Sequence, residues 1–229
     1  MKSKEVLLLG KSLITTRGLY LTNYAFNPLI SAKGDCIEIY KGFIFVVWYR
    51  GDMSDRHVML SRSEIGNGMN EWVHIEFPHQ HIGFRGNSLV GDSHNIIAIG
   101  ISPINDSIHL IYDLHAYGKN KYPDDHFNYS HSIDGAALVN DEKWSIDLFY
   151  PKQTYLNPGY NYQIMTYPAF MTTSAGLLIA KFRYGGPYNA NEVLNVFDGS
   201  KWSSPILWNR SYNKYGIYDV SAQNSFHHE

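Results

Sequence analysis

Residues 43–49 read FIFVVWY, residues 56–61 RHVMLS and residues 71–77 EWVHIEF, with Gly51–Asp52 and Gly66–Asn67–Gly68 punctuating the runs. Short runs rich in β-branched and aromatic side chains, bounded by turn formers, are strands, and several at hairpin spacing make an antiparallel sheet. The segment predicts a four-stranded unit. A second cycle follows through Asn95–Ile101, Ile108–Tyr112, a Tyr/Ser/His stretch near Tyr129 and Trp144–Phe149. A third comprises Gly176–Phe182 and Glu192–Phe197, after which Asp198–Gly199–Ser200 precedes Trp202. Trp72, Trp144 and Trp202 recur at intervals of 72 and 58 residues, longer than the roughly 40–50 residues of an ordinary propeller blade, so loops absorb the excess. No long stretch combines helical periodicity with caps, and no linker of distinct composition divides the chain. The pattern predicts one continuous all-β domain, toroidal or sandwich-like. The polar segment Lys119–Ser132 reads as a surface excursion between strands.

Hydrophobic residues make up 44% of the 229 and charged residues 17%, enough apolar material for a core and too little charge for a disordered chain. With 19 Lys+Arg against 21 Asp+Glu, no polyanion-binding surface and no nucleic-acid partner is expected. The 18 tyrosines and 5 tryptophans suit sheet packing and equally a carbohydrate-facing groove. Cys36 is the single cysteine, which leaves no internal disulfide and no cysteine cluster for zinc, and makes it a small apolar packing residue. The N-terminus offers two lysines and the short apolar run Val6–Leu9 before Gly10 and Lys11. That is not an ordinary secretory signal, so the chain as encoded points to the cytoplasm. No stretch approaches the ~20 apolar residues of a membrane span.

GDSHN at Gly91–Asn95 leads into an apolar strand, and IHLIYDLHAY spans Ile108–Tyr117. His94 thus stands just before one strand and His115 just after another, where a hairpin returns both to the same end of a sheet. Two imidazoles in one pocket can divide proton transfer and substrate positioning near neutral pH. Further on, NYQIMTYPAF (Asn161–Phe170) precedes LLIAKFRYGG (Leu177–Gly186), placing Tyr167 and Arg183 across another return. An arginine there can neutralise a carboxylate and a tyrosine can act through its phenolic oxygen. Metal ligation by His94, His115, His126 and His131 is a competing use of the same imidazoles, with no spacing that forces them together.

Taken in order, GDSHN, IYDLHAY, MTYPAF and FRYGG make the chain resemble the BNR-4 repeat family and its ulvan lyase relatives, loosely from Gly34 to Asp198. The resemblance implies a seven-bladed β-propeller ancestry and cleavage of an acidic, uronate-containing polysaccharide such as ulvan by β-elimination. It further implies a reaction centre of His94, His115, Tyr167 and Arg183. On that basis His115 or Tyr167 is the proton-transfer residue, His94 its paired participant and Arg183 the carboxylate neutraliser. Asn95, Tyr112, Tyr117 and Tyr184 are secondary, substrate-binding candidates along the groove. The chemistry requires no cofactor; a structural metal ion stays open and unassigned. If the resemblance holds and the N-terminus given is incomplete, an acidic polymer as partner would place the protein outside the cell or in the periplasm.

Seven blades of about 40–50 residues need more chain than 229 residues supply. The expectation is therefore a partial β-propeller of three or four expanded antiparallel blades, with blade regions at 34–80, 90–150 and 165–209 and an incomplete terminal unit. It would be the N-terminal half of a larger fold, whose open edges a missing C-terminal segment or an oligomeric partner would cover. Two other functions compete. A non-catalytic carbohydrate-binding propeller fragment fits the aromatic content. A sialidase-like glycoside hydrolase is weaker, because no repeated Ser-x-Asp-x-Gly-x-Thr-Trp series and no arginine triad is visible.

Overall fold

In the chain's second sheet the apolar residues do not alternate with polar ones, and the structure shows why. The computed structural model describes residues 8, 10–18, 36–51, 55–81, 87, 92, 94–115, 127–185 and 191–209. Their strands form three antiparallel sheets, each with its strands in chain order. The first contains β1 (Ile37–Tyr40), β2 (Phe43–Arg50), β3 (His57–Glu64) and β4 (Val73–Gln80). The second contains β5 (Ile97–Ile101), β6 (Ile108–Tyr112) and β7 (Asn128–His131). The third contains β8 (Met165–Thr172), β9 (Leu178–Tyr184), β10 (Asn191–Phe197) and β11 (Ile206–Asn209). Every residue of β5 and β6 is buried. Ile97, Ile99, Ile108, Leu110 and Tyr112 face the first sheet and pack on Phe45, Val47, Leu60 and Phe77. Ala98 and Ile111 face the third sheet and pack with Phe170, Ala180, Phe182 and Trp202. A strand covered on both faces gains burial at every position, so its sequence reads as a continuous apolar run. β4, by contrast, alternates buried Ile75 and Phe77 with exposed His74 and Glu76.

Gly100 on β5 fixes how closely the second and third sheets approach. A Cβ at this position would lie 2.6–2.8 Å from three carbons of Phe170. The ring of Phe170 occupies the space a side chain would need, so the third sheet seats directly against the backbone of the second.

The expected strand at Trp144–Phe149 is absent. Two 3-10 turns, Asp141–Lys143 and Ile146–Leu148, occupy the region, leaving one isolated bridge between Ser132 and Phe149. Ser145 accepts a hydrogen bond from the backbone N–H of Asp147 at 3.3 Å, a local bond that favours a turn over a strand. The segment is held by Arg62 of β3, whose side chain is 1% exposed. Its guanidinium lies 4.1 Å from the Trp144 ring centre and 4.7 Å from that of Phe43. It also donates to the Ala137 carbonyl and pairs with Asp141. Strands β1, β8 and β11 complete the first and third sheets; Cys36 packs against the first core.

His109 of β6 lies in the second core. Its Nε2 is 2.8 Å from Ser107 Oγ and its Nδ1 2.6 Å from the Tyr129 hydroxyl. Burial, then the neighbouring His131, pushes its pKa from 6.5 down to about 3.

Two outcomes follow from this packing. Gly100→Ala should destabilise the protein by about 1–3 kcal/mol in urea unfolding, since neither backbone nor Phe170 can yield without strain. For His109 the folded-state pKa lies below the unfolded value, so the native state excludes a proton that the unfolded chain accepts. The stabilisation is complete above 6.5 and is lost as pH falls towards 3, at about 1.4 kcal/mol per pH unit for this group. Urea midpoints between pH 6.5 and 4 should fall less steeply in His109→Gln than in the parent.

Candidate active site

Antiparallel strands that follow one another return to the same rim at every second turn. Here the ends of β4, β6 and β9 and the starts of β5 and β8 gather at one end of the three sheets. His115, just past β6, forms a bridge with Thr166 at the start of β8, which joins the second sheet to the third at this rim. The residue after Thr166 is Tyr167, which takes a left-handed φ of 56°. Between Thr166 and Ala169 the register with β9 shifts, so Tyr167 and Pro168 form a bulge. Left-handed backbone costs a bulky residue free energy, and a bulge re-aims its side chain.

The rings of His94 and His115 stack with centres 3.9 Å apart and planes 14° apart. Tyr167 lies 5.6 Å from His94, and the Arg183 guanidinium lies 4.8 Å over the Tyr167 ring. Arg183 comes from the end of β9, directly across from Thr166. His94 is 24% exposed and His115 16%, so both are open to a ligand in part. Behind them stands Asp92, which is fully buried. Its Oδ1 is 2.6 Å from His94 Nδ1 and accepts the His94 backbone N–H at 3.0 Å. Its Oδ2 bonds His115 Nδ1. Burial lowers the His115 pKa, Asp92 opposes that, and the neighbouring His94 and Arg183 lower it further. The balance favours the neutral imidazole of His115.

A second carboxylate lies deeper. Asp113, at the end of β6 and fully buried, bonds His79 Nε2 through Oδ2 at 2.7 Å and His81 Nδ1 through Oδ1 at 2.6 Å. Asn95 donates its side-chain N–H to the same Oδ1. Burial would raise the Asp113 carboxyl, but His81 and His79 hold it well below the usual range, so it stays ionised. The other ring nitrogen of His81 accepts the Asp92 backbone N–H at 3.2 Å.

The structure thus brings His94, His115, Tyr167 and Arg183 together. It places Asn95 and Tyr112 in the interior instead of on the groove. Asn95, 1% exposed, is taken up by Asp113. Tyr112, also 1% exposed, faces the first core by strand alternation and shares a 2.8 Å hydrogen bond with Ser130. Tyr184 is half-buried at the end of β9. Tyr117 and His126 lie outside the described residues. His131 sits further along β7, opposite His109 and against Tyr150, so it does not join His94 and His115. Ligand atoms of Asp92, His94 and His115 all lie within 4.8 Å of one another, a set that could hold a metal ion. Asp92, Asp113, His79 and His81 were not singled out from the sequence. The only trace of them is the PHQH run at Pro78–His81 and two lone aspartates inside motifs chosen for their histidines. Cavities of about 600 Å³, beside His79 and Lys152, and about 800 Å³, beside His131 and Trp202, lie away from the histidine pair. Among the described residues no helix is long and apolar enough to cross a membrane.

Comparison with known proteins bears on what this rim is. The family model described as BNR repeat-containing family member matches residues 43–225. The chain belongs to that family. It is 39% identical over 214 residues to the long isoform of ulvan lyase from Alteromonas sp. (strain LOR), covering 84% of this chain and 21% of the relative. To the short isoform from the same strain it is 38% identical over 218 residues, covering 84% and 41%. Among solved structures of relatives, the polysaccharide lyase Uly1 superposes with a TM-score of 0.75 at 36% identity, over 82% of this chain and 44% of that one. A PL25 ulvan lyase bound to -[GlcA(1-4)Rha3S]- shares the fold, with a TM-score of 0.55 at 16% identity, over 86% of this chain and 41% of that one. This BNR-repeat chain therefore spans about a fifth of the length of the long curated relatives and about two fifths of the short one.

Removing the deeper carboxylate tests the account of the rim. Asp113→Ala leaves three side-chain donors facing a cavity, and at about 1–3 kcal/mol for each buried donor left unsatisfied the loss at pH 7 should be about 3 kcal/mol or more. Urea unfolding measures it, and a loss below about 1 kcal/mol would mean that these bonds are not made in solution.

Proposed function

We propose that the chain is the reaction-centre portion of a polysaccharide lyase acting on an acidic, uronate-containing polymer such as ulvan. The observation that carries this is the convergence of a stacked histidine pair, a strained tyrosine and an arginine on one rim. The three sheets are read as successive blades of a partial propeller, in regions 34–80, 90–150 and 165–209 of one domain. Support comes from their meander order, the burial of the middle sheet on both faces and the likeness to Uly1. Ulvan-type polymers lie outside the cytoplasm, so the working location would be extracellular or periplasmic.

The chemistry assigns one role to each group. Arg183 pairs with the uronate carboxylate and stabilises the negative charge that builds there as the neighbouring C–H bond weakens. The histidine pair takes the C5 proton, for which a neutral imidazole beside a carboxylate is suited. The electrons of the C5–H bond form the C4–C5 double bond, and the C4–O bond breaks with its pair moving to the departing oxygen. Tyr167 supplies the proton that oxygen needs. No water is added, and the carboxylate pair of most glycosidases is not required.

Incubation of the full chain with ulvan should produce chains ending in an unsaturated uronate, followed by ultraviolet absorbance and product mass. His94→Ala, His115→Ala, Tyr167→Phe and Arg183→Ala should each lower the rate by at least about 100-fold. Because burial lowers the His115 pKa, the acid limb of the rate profile should fall below the ordinary histidine value. Saturable binding without product would favour a carbohydrate-binding module; a product that has gained water would favour a hydrolase.

A further inference from the structure

We propose that Asp92 is the positioning residue of this site: it sets His94 and His115 in the Nδ1–H tautomer, so that protons exchange through Nε2, and the buried Asp113–His81 pair holds it in place. The proposal rests on reading the histidine pair as the proton-transfer groups. An ionised carboxylate only accepts hydrogen bonds, so a nitrogen bonded to it must carry the proton. Oδ1 of Asp92 takes Nδ1 of His94 and Oδ2 takes Nδ1 of His115, one ring to each oxygen. The two oxygens of one carboxylate are rigidly linked, which fits the near-parallel stacking of the rings.

Asp92 lies outside the named strands, so something other than a sheet ladder must fix it. Its backbone N–H donates to His81 Nε2. That nitrogen must carry a lone pair, so the His81 proton sits on Nδ1, where it is donated to Asp113. Asp113 is in turn anchored by His79 and Asn95, and its own backbone N–H donates to the Ile96 carbonyl at 3.2 Å. The Asn95 backbone N–H reaches the Asp92 carbonyl at 3.1 Å. The end of β4, the segment before β5 and the end of β6 are thereby tied into one unit behind the rings. In both tiers a carboxylate takes an Nδ1–H, from His94 and His115 at Asp92 and from His81 at Asp113, while His79 reaches Asp113 through Nε2.

The test uses the full chain with ¹⁵N-labelled histidine. Long-range proton–nitrogen spectra should show His94, His115 and His81 as Nδ1–H tautomers at neutral pH. In Asp92→Asn only one acceptor oxygen remains, so at least one of the stacked rings should change to Nε2–H. In turnover of ulvan, Asp92→Asn should lower kcat about 100-fold with KM little changed, and the acid limb of the rate profile should move. His81→Gln keeps an oxygen near the Nε2 position and should retain several times more activity than His81→Asn, which cannot reach Asp92. Nε2–H tautomers for both His94 and His115 in the parent would overturn the proposal, as would an Asp92→Asn enzyme with the parental kcat and pH profile. Should the parent give no product, the lyase reading fails on its own while the tautomers still decide this one. Should Asp92→Asn fail to fold, the parental spectra and the His81 pair decide it.

Discussion

The middle sheet has no solvent face, and the remaining features follow from that constraint. β5 and β6 are covered by the first sheet on one side and by the third on the other. Such strands must be apolar throughout, which the runs IAIGI and IHLIY satisfy apart from His109. His109 is accommodated because Ser107 and Tyr129 satisfy both ring nitrogens and burial keeps it neutral. Close approach of the third sheet also requires Gly100 where Phe170 descends. The strand ends then have to carry the polar chemistry, since the strand bodies cannot.

At the rim the same constraint acts on charge. Asp92 and Asp113 are fully buried carboxylates within a sheet's length of an apolar core. An isolated ionised carboxylate there would be strongly unfavourable, so each must be met by donors. Asp113 receives them from His79, His81 and Asn95, and Asp92 from His94 and His115. The need to compensate buried charge and the need to orient imidazoles are therefore met by the same bonds. A histidine fixed this way pays its ordering entropy at folding, before any substrate arrives.

What the sequence made legible was whatever depends on local pattern. The runs at 43–49, 95–101, 108–112 and 192–197 read as strands because β-branched and aromatic residues crowd between turn formers, and all are strands except Asn95 and Ile96, which precede β5. The pairing of His94 with His115 and the neighbourhood of Tyr167 and Arg183 were accessible through motifs in order along the chain. Trp144–Phe149 misled because its apolar content resembles a strand, whereas Ser145 and Arg62 hold it as turns. Asn95 and Tyr112 misled in the opposite sense: polar groups beside a site were read as facing it, but buried charge and strand alternation turn them inward. Asp92, His81 and Asp113 were silent because a hydrogen-bond chain across three segments leaves no spacing rule in sequence. The left-handed Tyr167 was silent as well, since no glycine marks it.

Why two histidines stand on one carboxylate, when a single His–Asp pair would already fix a tautomer, follows from charge. Rings 3.9 Å apart oppose double protonation, as the lowering of His115 by His94 reflects. A carboxylate placed between the two rings can offset the charge of one added proton without a second positive charge having to form. A lone buried imidazole with no carboxylate would instead create an unscreened positive charge next to Arg183, which already lowers His115. On the lyase reading proposed above, a proton taken from the sugar would neutralise a charge behind the pair, and Arg183 would keep its full attraction for a uronate. The two ring donors on the Asp92 carboxylate and the Asp113 tier behind its backbone supply the hydrogen bonds that a buried carboxylate needs at this position.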